Sequence, residues 1–359
     1  MMLLHLHPTR PEALTASTTT LTRWSLATNP ATILAQMSTA PESVFKFMYD
    51  RGGRLLTYGG VTGSPDGLFF AHEQLNPQQQ RWADPCVMEW RRWEDLSPVR
   101  SISVPHTRSP ISSLANSPNG RWLVIEGMDK YEANLLLLDW QTGEVISFEY
   151  CYDGCQYICG LAFDSTSTFI AGLSFQNEGG ALQIWQLDPI EHTVGRPAVK
   201  DCRSHEDLPQ DDRGDKMILT LVHGWLDREG IAWDREDLGG AGCISAFSPD
   251  GRIVVFCLYS CEYRLELVAY EVVSGKRLWC VRDNEVESAG PFTFTPDGSA
   301  LLVPLESGDL LRYRIEDGTL VQRLPSGLSE PVQALSFAHD GTTLWLATKE
   351  ALVQYQSKG

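Results

Sequence analysis

The sequence contains no apolar run long enough to cross a membrane. A membrane-spanning helix needs about 18 or more consecutive apolar residues, and no hydrophobic stretch of this chain approaches that length. The amino-terminal segment MMLLHLHPTR is apolar for only a few residues and lacks the basic leading region of a secretory signal. We therefore expect no membrane association and a cytoplasmic protein.

Recognisable catalytic motifs are also missing. The sequence has no Gly-x-Ser-x-Gly nucleophile elbow, no phosphate-binding Walker loop and no dinucleotide-binding glycine fingerprint. None of the eight histidines has the His-Glu-x-x-His spacing of a zinc hydrolase. These absences predict that the protein is not an enzyme, although side chains from distant loops could still assemble a catalytic site.

Cysteine occurs nine times, an odd number without the regular spacing of a disulfide framework. A reducing, cytoplasmic environment is the simplest interpretation of that pattern. Cys151, Cys155 and Cys159 follow one another closely, but structural zinc sites favour tighter cysteine pairs. We expect these thiols to lie in strands and turns, and we expect neither a metal ion nor a cofactor.

Basic residues are outnumbered, because 29 Lys and Arg stand against 46 Asp and Glu and give a formal net charge of -17. An acidic surface repels the phosphates of nucleic acids and of anionic membranes. We therefore expect neither of them as a partner. The charge can serve solubility alone, or it can attract a basic protein partner; the sequence leaves both interpretations open, as it does the oligomeric state.

A repeated turn is the clearest feature that the sequence does contain. Proline presets one turn angle, aspartate bonds the local backbone and glycine accepts a positive φ, so such turns between apolar runs indicate β-hairpins. The best examples are Ser117-Pro118-Asn119-Gly120, Ser248-Pro249-Asp250-Gly251, Thr295-Pro296-Asp297-Gly298 and His339-Asp340-Gly341.

Large aromatic residues recur in the same order as the turns. They are Trp24, Trp90, Trp140, Trp185, Tyr270, Tyr313 and Tyr355. Successive members lie 66, 50, 45, 85, 43 and 42 residues apart. Three of these spacings match the roughly 40–45 residues of one four-stranded propeller blade. The two longest spacings predict insertions.

The turn and the aromatic together resemble the WD-repeat family, in which a Trp-Asp pair ends the third strand of each repeat. Here the pair is reduced to sequences such as Trp140-Gln141, Trp185-Gln186 and Tyr270-Glu271, and the Gly-His pair common in the family is absent. The resemblance covers nearly the whole chain. It implies an all-β fold, a seven-bladed β-propeller of four-stranded antiparallel blades, in a single domain over residues 1–359.

Two of the predicted blades are irregular. Blade two is expected to begin with strands at Val44–Tyr49 and Leu55–Tyr58 and to resume at Val87–Trp90. Blade seven has three predicted strands, so we expect it to be three-stranded, with the ring closed by side-chain packing between blades one and seven. The alternative is that Met1–Leu4 reaches across as an outer strand of blade seven.

Two insertions interrupt the repeat, at residues 59–85 in blade two and 188–242 in blade four. Residues 59–85 and 223–242 should project from the top face, where loops join strands two and three or successive blades. Aromatic residues rimmed by charge are typical of binding hot spots, although the same residues could instead pack onto the propeller. The candidates for partner binding are Phe69, Phe70, Trp82, Trp225, Trp233, Asp227 and Asp234.

The function predicted from this pattern is that of a non-catalytic scaffold, which binds a protein partner through top-face loops. Two alternatives stay open. The protein could be a regulatory or sensor subunit of a larger complex, or it could be a propeller enzyme, a hydrolase or lyase acting at the central channel. A propeller fold hosts all three roles, so the fold alone does not choose between them.

Overall fold

A computed structural model of the protein describes residues 3–7, 9–16, 20–38, 47–49, 55–57, 61–63, 69–73, 87–104, 113–129, 132–150, 155–176, 179–189, 217–226, 243–258, 265–283, 292–338 and 340–355. All regular secondary structure in these ranges is β-strand, which confirms the all-β expectation. The same ranges contain no helix that is long and apolar enough to span a membrane.

The strands form small antiparallel sheets whose members follow one another along the chain. Sheet one consists of β1 (Leu3–Leu6), β2 (Glu12–Ala16), β3 (Thr20–Ser25) and β4 (Thr32–Ser38). A separate two-stranded sheet consists of β5 (Phe47–Tyr49) and β6 (Leu55–Thr57). Sheet two consists of β7 (Val61–Gly63), β8 (Phe69–Glu73), β9 (Val87–Arg92) and β10 (Pro98–Ser103). Sheet three consists of β11 (Leu114–Asn116), β12 (Trp122–Asp129), β13 (Glu132–Asp139) and β14 (Val145–Tyr150).

The second half of the chain continues this arrangement. Sheet four consists of β15 (Cys155–Phe163), β16 (Phe169–Gln176), β17 (Gly179–Pro189) and β18 (Met217–Leu226). Sheet five consists of β19 (Cys243–Phe247), β20 (Ile253–Leu258), β21 (Leu265–Glu271) and β22 (Arg277–Asp283). Sheet six consists of β23 (Thr293–Phe294), β24 (Ala300–Pro304), β25 (Leu310–Arg314) and β26 (Leu320–Leu324). Sheet seven is three-stranded, with β27 (Ala334–Phe337), β28 (Leu344–Ala347) and β29 (Leu352–Gln354).

The sheets are buried at their centres and exposed at their last strands. In sheet six, all five residues of β24 are buried, whereas four of the five residues of β26 are exposed. The sequences explain this gradient, because β24 reads ALLVP and β26 reads LVQRL with two long polar side chains. An apolar central strand loses water from both of its faces when sheets pack against it on either side.

The core consists of apolar layers between consecutive sheets. Between sheets five and six, for example, Val255 and Leu267 pack with Leu301 and Val303. A further layer joins the two ends of the chain, since residues of sheet one pack with residues of sheet seven. Its buried members are Ala13, Trp24, Ala31, Ala334, Trp345, Ala347 and Leu352. The predicted side-chain packing between the first and last blades is therefore present.

The repeated turn has the structure that its sequence predicts. At Ser248–Gly251, the Ser248 hydroxyl donates to Asp250 Oδ1 (2.6 Å) and accepts from Ile253 N (3.0 Å). Gly251 has a φ of 71°, a left-handed conformation that strains other residues. Polar groups of the turn thus form hydrogen bonds with one another, and the turn connects the first strand of the sheet to the second.

The expected beginning of blade two is wrong. The strands β5 and β6 pair with each other as a separate sheet, and the first two strands of sheet two lie inside the expected insertion at residues 59–85. The turn sequence Ser64-Pro65-Asp66-Gly67, between β7 and β8, is identical to Ser248–Gly251. Two neighbouring apolar hairpins fit the same local pattern, and only pairing with β9 distinguishes them.

Two other expectations change at the ends of sheets. The strand β18 (Met217–Leu226) lies inside the expected insertion at residues 188–242, and its pairing with β17 continues as far as Ala181↔Leu226. At the amino terminus, β1 pairs with β2 as the first strand of sheet one. The alternative in which Met1–Leu4 completes blade seven is therefore wrong for Leu3 and Leu4, and Met1 and Met2 lie outside the described residues.

Candidate interaction surfaces

The turns between first and second strands nest against one another along one end of the sheets. A Cβ atom added to Gly298 would lie 3.5 Å from Pro249 Cδ of the preceding turn, and one added to Gly341 would lie 3.3 Å from Pro296 Cβ. Asn119 N likewise donates to Ser167 Oγ of the next turn (3.0 Å). These contacts hold consecutive sheets in register at this end.

Hydrogen bonds within these turns lower the pKa of the turn aspartates. Hydrogen bonds from the Thr295 hydroxyl and from Ser299 lower the pKa of Asp297 to about 2. Backbone N–H groups of Thr342 and Thr343 lower the pKa of Asp340 to about 2. Their charges are already engaged within the turns, so we assign these carboxylates a structural role.

The outer strands of sheets two and five contact the turn between the third and fourth strands of the next sheet. The Arg100 guanidinium lies 4.1 Å from the Trp90 ring centroid and donates to the carbonyl groups of Trp140 and Gln141. Sheets five and six repeat the contact with other residues, since Trp279 Nε1 donates to Ile315 O (2.6 Å). At these positions, contacts within the protein itself therefore cover the surface between adjacent sheets.

A polar network joins sheets one and two at their shared face. Trp93 is fully buried, and its ring centroid lies 5.7 Å from that of His5 and 5.0 Å from that of His7. Trp93 Nε1 donates to Glu12 Oε2 (3.1 Å), and Glu12 also accepts two hydrogen bonds from Arg23 at 2.9 and 3.0 Å.

Burial and the neighbouring His7 lower the pKa of His5 to about 4. The other charged groups around the histidines belong to the same network. Arg10 Nε lies 2.9 Å from His7 Nε2, and Arg10 also approaches Glu12 at 3.8 Å. A cation thus adjoins the histidine pair already, and the lowered pKa of His5 favours its neutral ring at neutral pH.

All six fourth strands contain a β-bulge against the third strand of their sheet. The residue that the bulge leaves without a direct partner is Leu34 in β4, Val99 in β10, Leu278 in β22 and Val321 in β26. These side chains are 48%, 47%, 39% and 52% exposed. The bulges discourage the outer edges from pairing with other strands, and they present single aliphatic side chains at the periphery.

The outer edge of sheet seven, formed by β29, is covered by a turn and not by a bulged fourth strand. A turn between β3 and β4 of sheet one lies along β29, at the position where the other sheets have a fourth strand. Ala31 N donates to Leu352 O (2.9 Å), Gln354 N donates to Asn29 Oδ1 (3.1 Å), and Asn29 Nδ2 approaches Gln354 O at 3.5 Å. The Asn29 amide therefore imitates the backbone of a neighbouring strand.

The structure separates the residues that were predicted to bind a partner. Phe69 and Phe70 lie in β8, paired with Arg92 and Arg91 of β9, and thus in the second strand of a sheet rather than in an inserted loop. Trp225 lies in β18 opposite Leu182, so it belongs to a strand and not to the expected loop 223–242. Trp82, Asp227, Trp233 and Asp234 lie outside the described residues.

Within the described ranges, no three His, Cys, Asp or Glu side chains group so as to hold a metal ion. Cys155 and Cys159 lie in β15, while Cys151 falls outside those ranges. The network around Trp93 was not predicted, because Glu12 and Trp93 are 81 positions apart and neither belongs to a recognisable motif.

Comparisons with known proteins agree with this architecture. A family model described as WD domain, G-beta repeat, matches residues 97–131. The matched segment covers β10 of sheet two and continues into β12 of sheet three. The sequence repeat therefore begins one strand before sheet three, at the last strand of sheet two. No curated protein matches the sequence.

The fold is shared with many solved structures. One is a chain in the crystal structure of the mitotic checkpoint complex, with a TM-score of 0.64 and 12% identity over 99% of this chain and 88% of the other. At this identity, the likeness concerns the fold alone. The repeat match and the shared fold together confirm the resemblance of this chain to the WD-repeat family.

Proposed function

We propose that the protein is a non-catalytic platform for protein–protein interaction. The observation that carries this proposal is the WD-repeat match on a fold of small antiparallel sheets, an architecture that generally serves protein binding. In this proposal, the seven sheets act as the blades of one closed ring, and residues 1–359 form a single domain. The rigid ring positions its loops, and the loops select the partner.

The proposed contact surface is the top face, built from loops between strands two and three and between successive sheets. Trp233, Asp227 and Asp234 lie between β18 and β19, and Trp82 lies between β8 and β9. Trp225 is one residue from the end of β18. Phe69 and Phe70 stay in the proposal as members of β8, the strand that precedes Trp82 in the sequence.

The proposed partner is a basic protein. The chain carries a net charge of -17, which favours the approach of cationic surfaces and opposes nucleic acids and anionic membranes. We propose a cytoplasmic location because the nine cysteines lack the regular spacing of a disulfide framework. The attraction should be strongest at low ionic strength, because salt screens charges that are more than about 8–10 Å apart.

Native affinity purification followed by mass spectrometry tests this function. The tagged protein is compared with the double variant Trp225→Ala, Trp233→Ala and with a control, Val99→Ala, Val321→Ala, which removes exposed side chains from the periphery. We expect the first variant to lose its specific partners and the control to keep them, with both variants folded by circular dichroism. Unchanged partner recovery in the folded first variant would show that these tryptophans are not the contact.

A further inference from the structure

The outer edge of β29 has the geometry of an acceptor for a β-strand. Thr348 N donates to Ala351 O and Tyr355 N donates to Leu344 O, so Ala351, Val353 and Tyr355 direct their backbone groups toward β28. Because bonding alternates along an antiparallel strand, Leu352 and Gln354 direct theirs away from the sheet. The six four-stranded sheets carry a fourth strand at this position.

The turn of sheet one covers this edge only in part. It engages the Leu352 carbonyl and both backbone groups of Gln354, through one backbone N–H and one side-chain amide. The Leu352 N–H shares the same edge. Thr28 and Asn29 in this turn are exposed, whereas Ala31 is buried with Leu352 in the apolar layer between sheets one and seven.

Incompletely buried apolar side chains are present in the sheets on either side of sheet seven. Ile33, which follows the turn in β4, is 53% exposed. On the side of sheet six, Leu324, Leu328 and Tyr355 are only partly buried where they pack against the layer between sheets six and seven. The centre of an added strand would contact these incompletely buried apolar side chains.

We propose that β29 binds an extended segment of the partner protein as a fourth strand and that this segment displaces the Asn29–Ala31 turn. The proposal rests on the proposed function. The segment pairs antiparallel to β29, as the fourth strands of the other sheets pair with their third strands. Its centre is apolar, to match the flanking side chains. Its ends are basic, because the chain carries a net charge of -17 and Glu350 is exposed beside β29.

A synthetic peptide tests the proposal without knowledge of the partner. The probe is KKLVQRLKK, which places the sequence of β26, the fourth strand of sheet six, between lysines. A second peptide, KKLPQRPKK, has the same charge but contains prolines that cannot donate to a ladder. We expect fluorescence anisotropy to show binding of the first peptide and at least tenfold weaker binding of the second.

Two variants locate the binding on β29. Asn29→Ala removes two of the bonds that hold the turn, so the first peptide should bind roughly tenfold more tightly. Gln354→Pro removes an N–H that points away from β28, and it should weaken binding at least tenfold while the sheet stays intact. Equal affinity in wild type and Gln354→Pro, or no binding to folded Asn29→Ala, would overturn the proposal.

Hydrogen exchange on the unmodified chain provides a readout that does not depend on any variant. Saturating KKLVQRLKK should slow exchange of the Leu352 amide, which the Asn29 turn does not engage, and an unchanged rate would contradict strand addition. The same two variants are also used in the affinity purification. Partners recovered equally by Gln354→Pro, but lost with Trp225→Ala and Trp233→Ala, would leave the interaction function standing and reject only this edge.

Discussion

Sheet one meets its two neighbours in different ways. Against sheet seven it presents an apolar layer that includes Trp24 and Trp345, and a turn that bonds to the edge of β29. Against sheet two it presents a polar network of histidines, a carboxylate and an arginine around the buried Trp93. The first interface depends on burial, which pH hardly changes, whereas the second depends on charge and protonation.

The largest expected effect comes from breaking the apolar interface. Trp345 is 3% exposed and packs between sheets one and seven, so Trp345→Ala should lower the free energy of unfolding by about 3–5 kcal/mol. Urea denaturation followed by circular dichroism measures this loss. Leu320→Ala, at a position that is 48% exposed, serves as the control and should change stability by less than about 0.5 kcal/mol.

The polar interface should be somewhat less sensitive. The side chains of Arg23 and Glu12 are 12% and 13% exposed, and Arg23→Ala leaves the Glu12 carboxylate without its bidentate partner. We expect a loss of about 2–4 kcal/mol by the same denaturation assay. The double variant Arg23→Ala, Glu12→Gln should recover part of this loss, because it removes the uncompensated charge. A double variant no more stable than Arg23→Ala would argue against the pairing.

The pH dependence should distinguish the two interfaces directly. The pKa of His5 falls from 6.5 to about 4 on folding, so the folded chain favours the neutral ring. This contribution to stability is complete above about pH 6.5 and is lost as the pH falls from there toward 4, with a slope of up to about 1.4 kcal/mol per pH unit. Replacing His5 with Gln should flatten this part of the stability profile. A profile that keeps its slope would place the titrating group elsewhere.

The smallest effect is expected at the edge of β29. Asn29→Ala removes two exposed hydrogen bonds to Gln354 and should lower stability by about 1 kcal/mol. Thermal unfolding is a suitable measurement, with Thr32→Ala at an exposed position of β4 as the matched control. A loss above about 3 kcal/mol would mean that the turn is required for closure rather than merely covering the edge.

Local chemistry made the regular parts of the fold predictable. The Ser248–Gly251 and Thr295–Gly298 turns, and the strands on either side of them, carry their structure in a few adjacent residues. The same four-residue sequence at Ser64–Gly67 lies between β7 and β8, the first two strands of sheet two, although the neighbouring hairpin β5–β6 fitted the apolar pattern as well. Trp225 was misplaced for a related reason, since the length of β18 depends on its pairing with β17.

The sequence by itself determined an all-β chain, the positions of most strands, a negative net charge and the packing of the first blade against the last. Turn residues and alternating apolar residues act over a few positions, so they can be interpreted without the fold. Only the tertiary structure decided which hairpin enters sheet two, how Glu12, Arg23 and Trp93 meet, and how Asn29 comes to lie along β29. These contacts join residues 81 and 325 positions apart, and they form only once the sheets have packed.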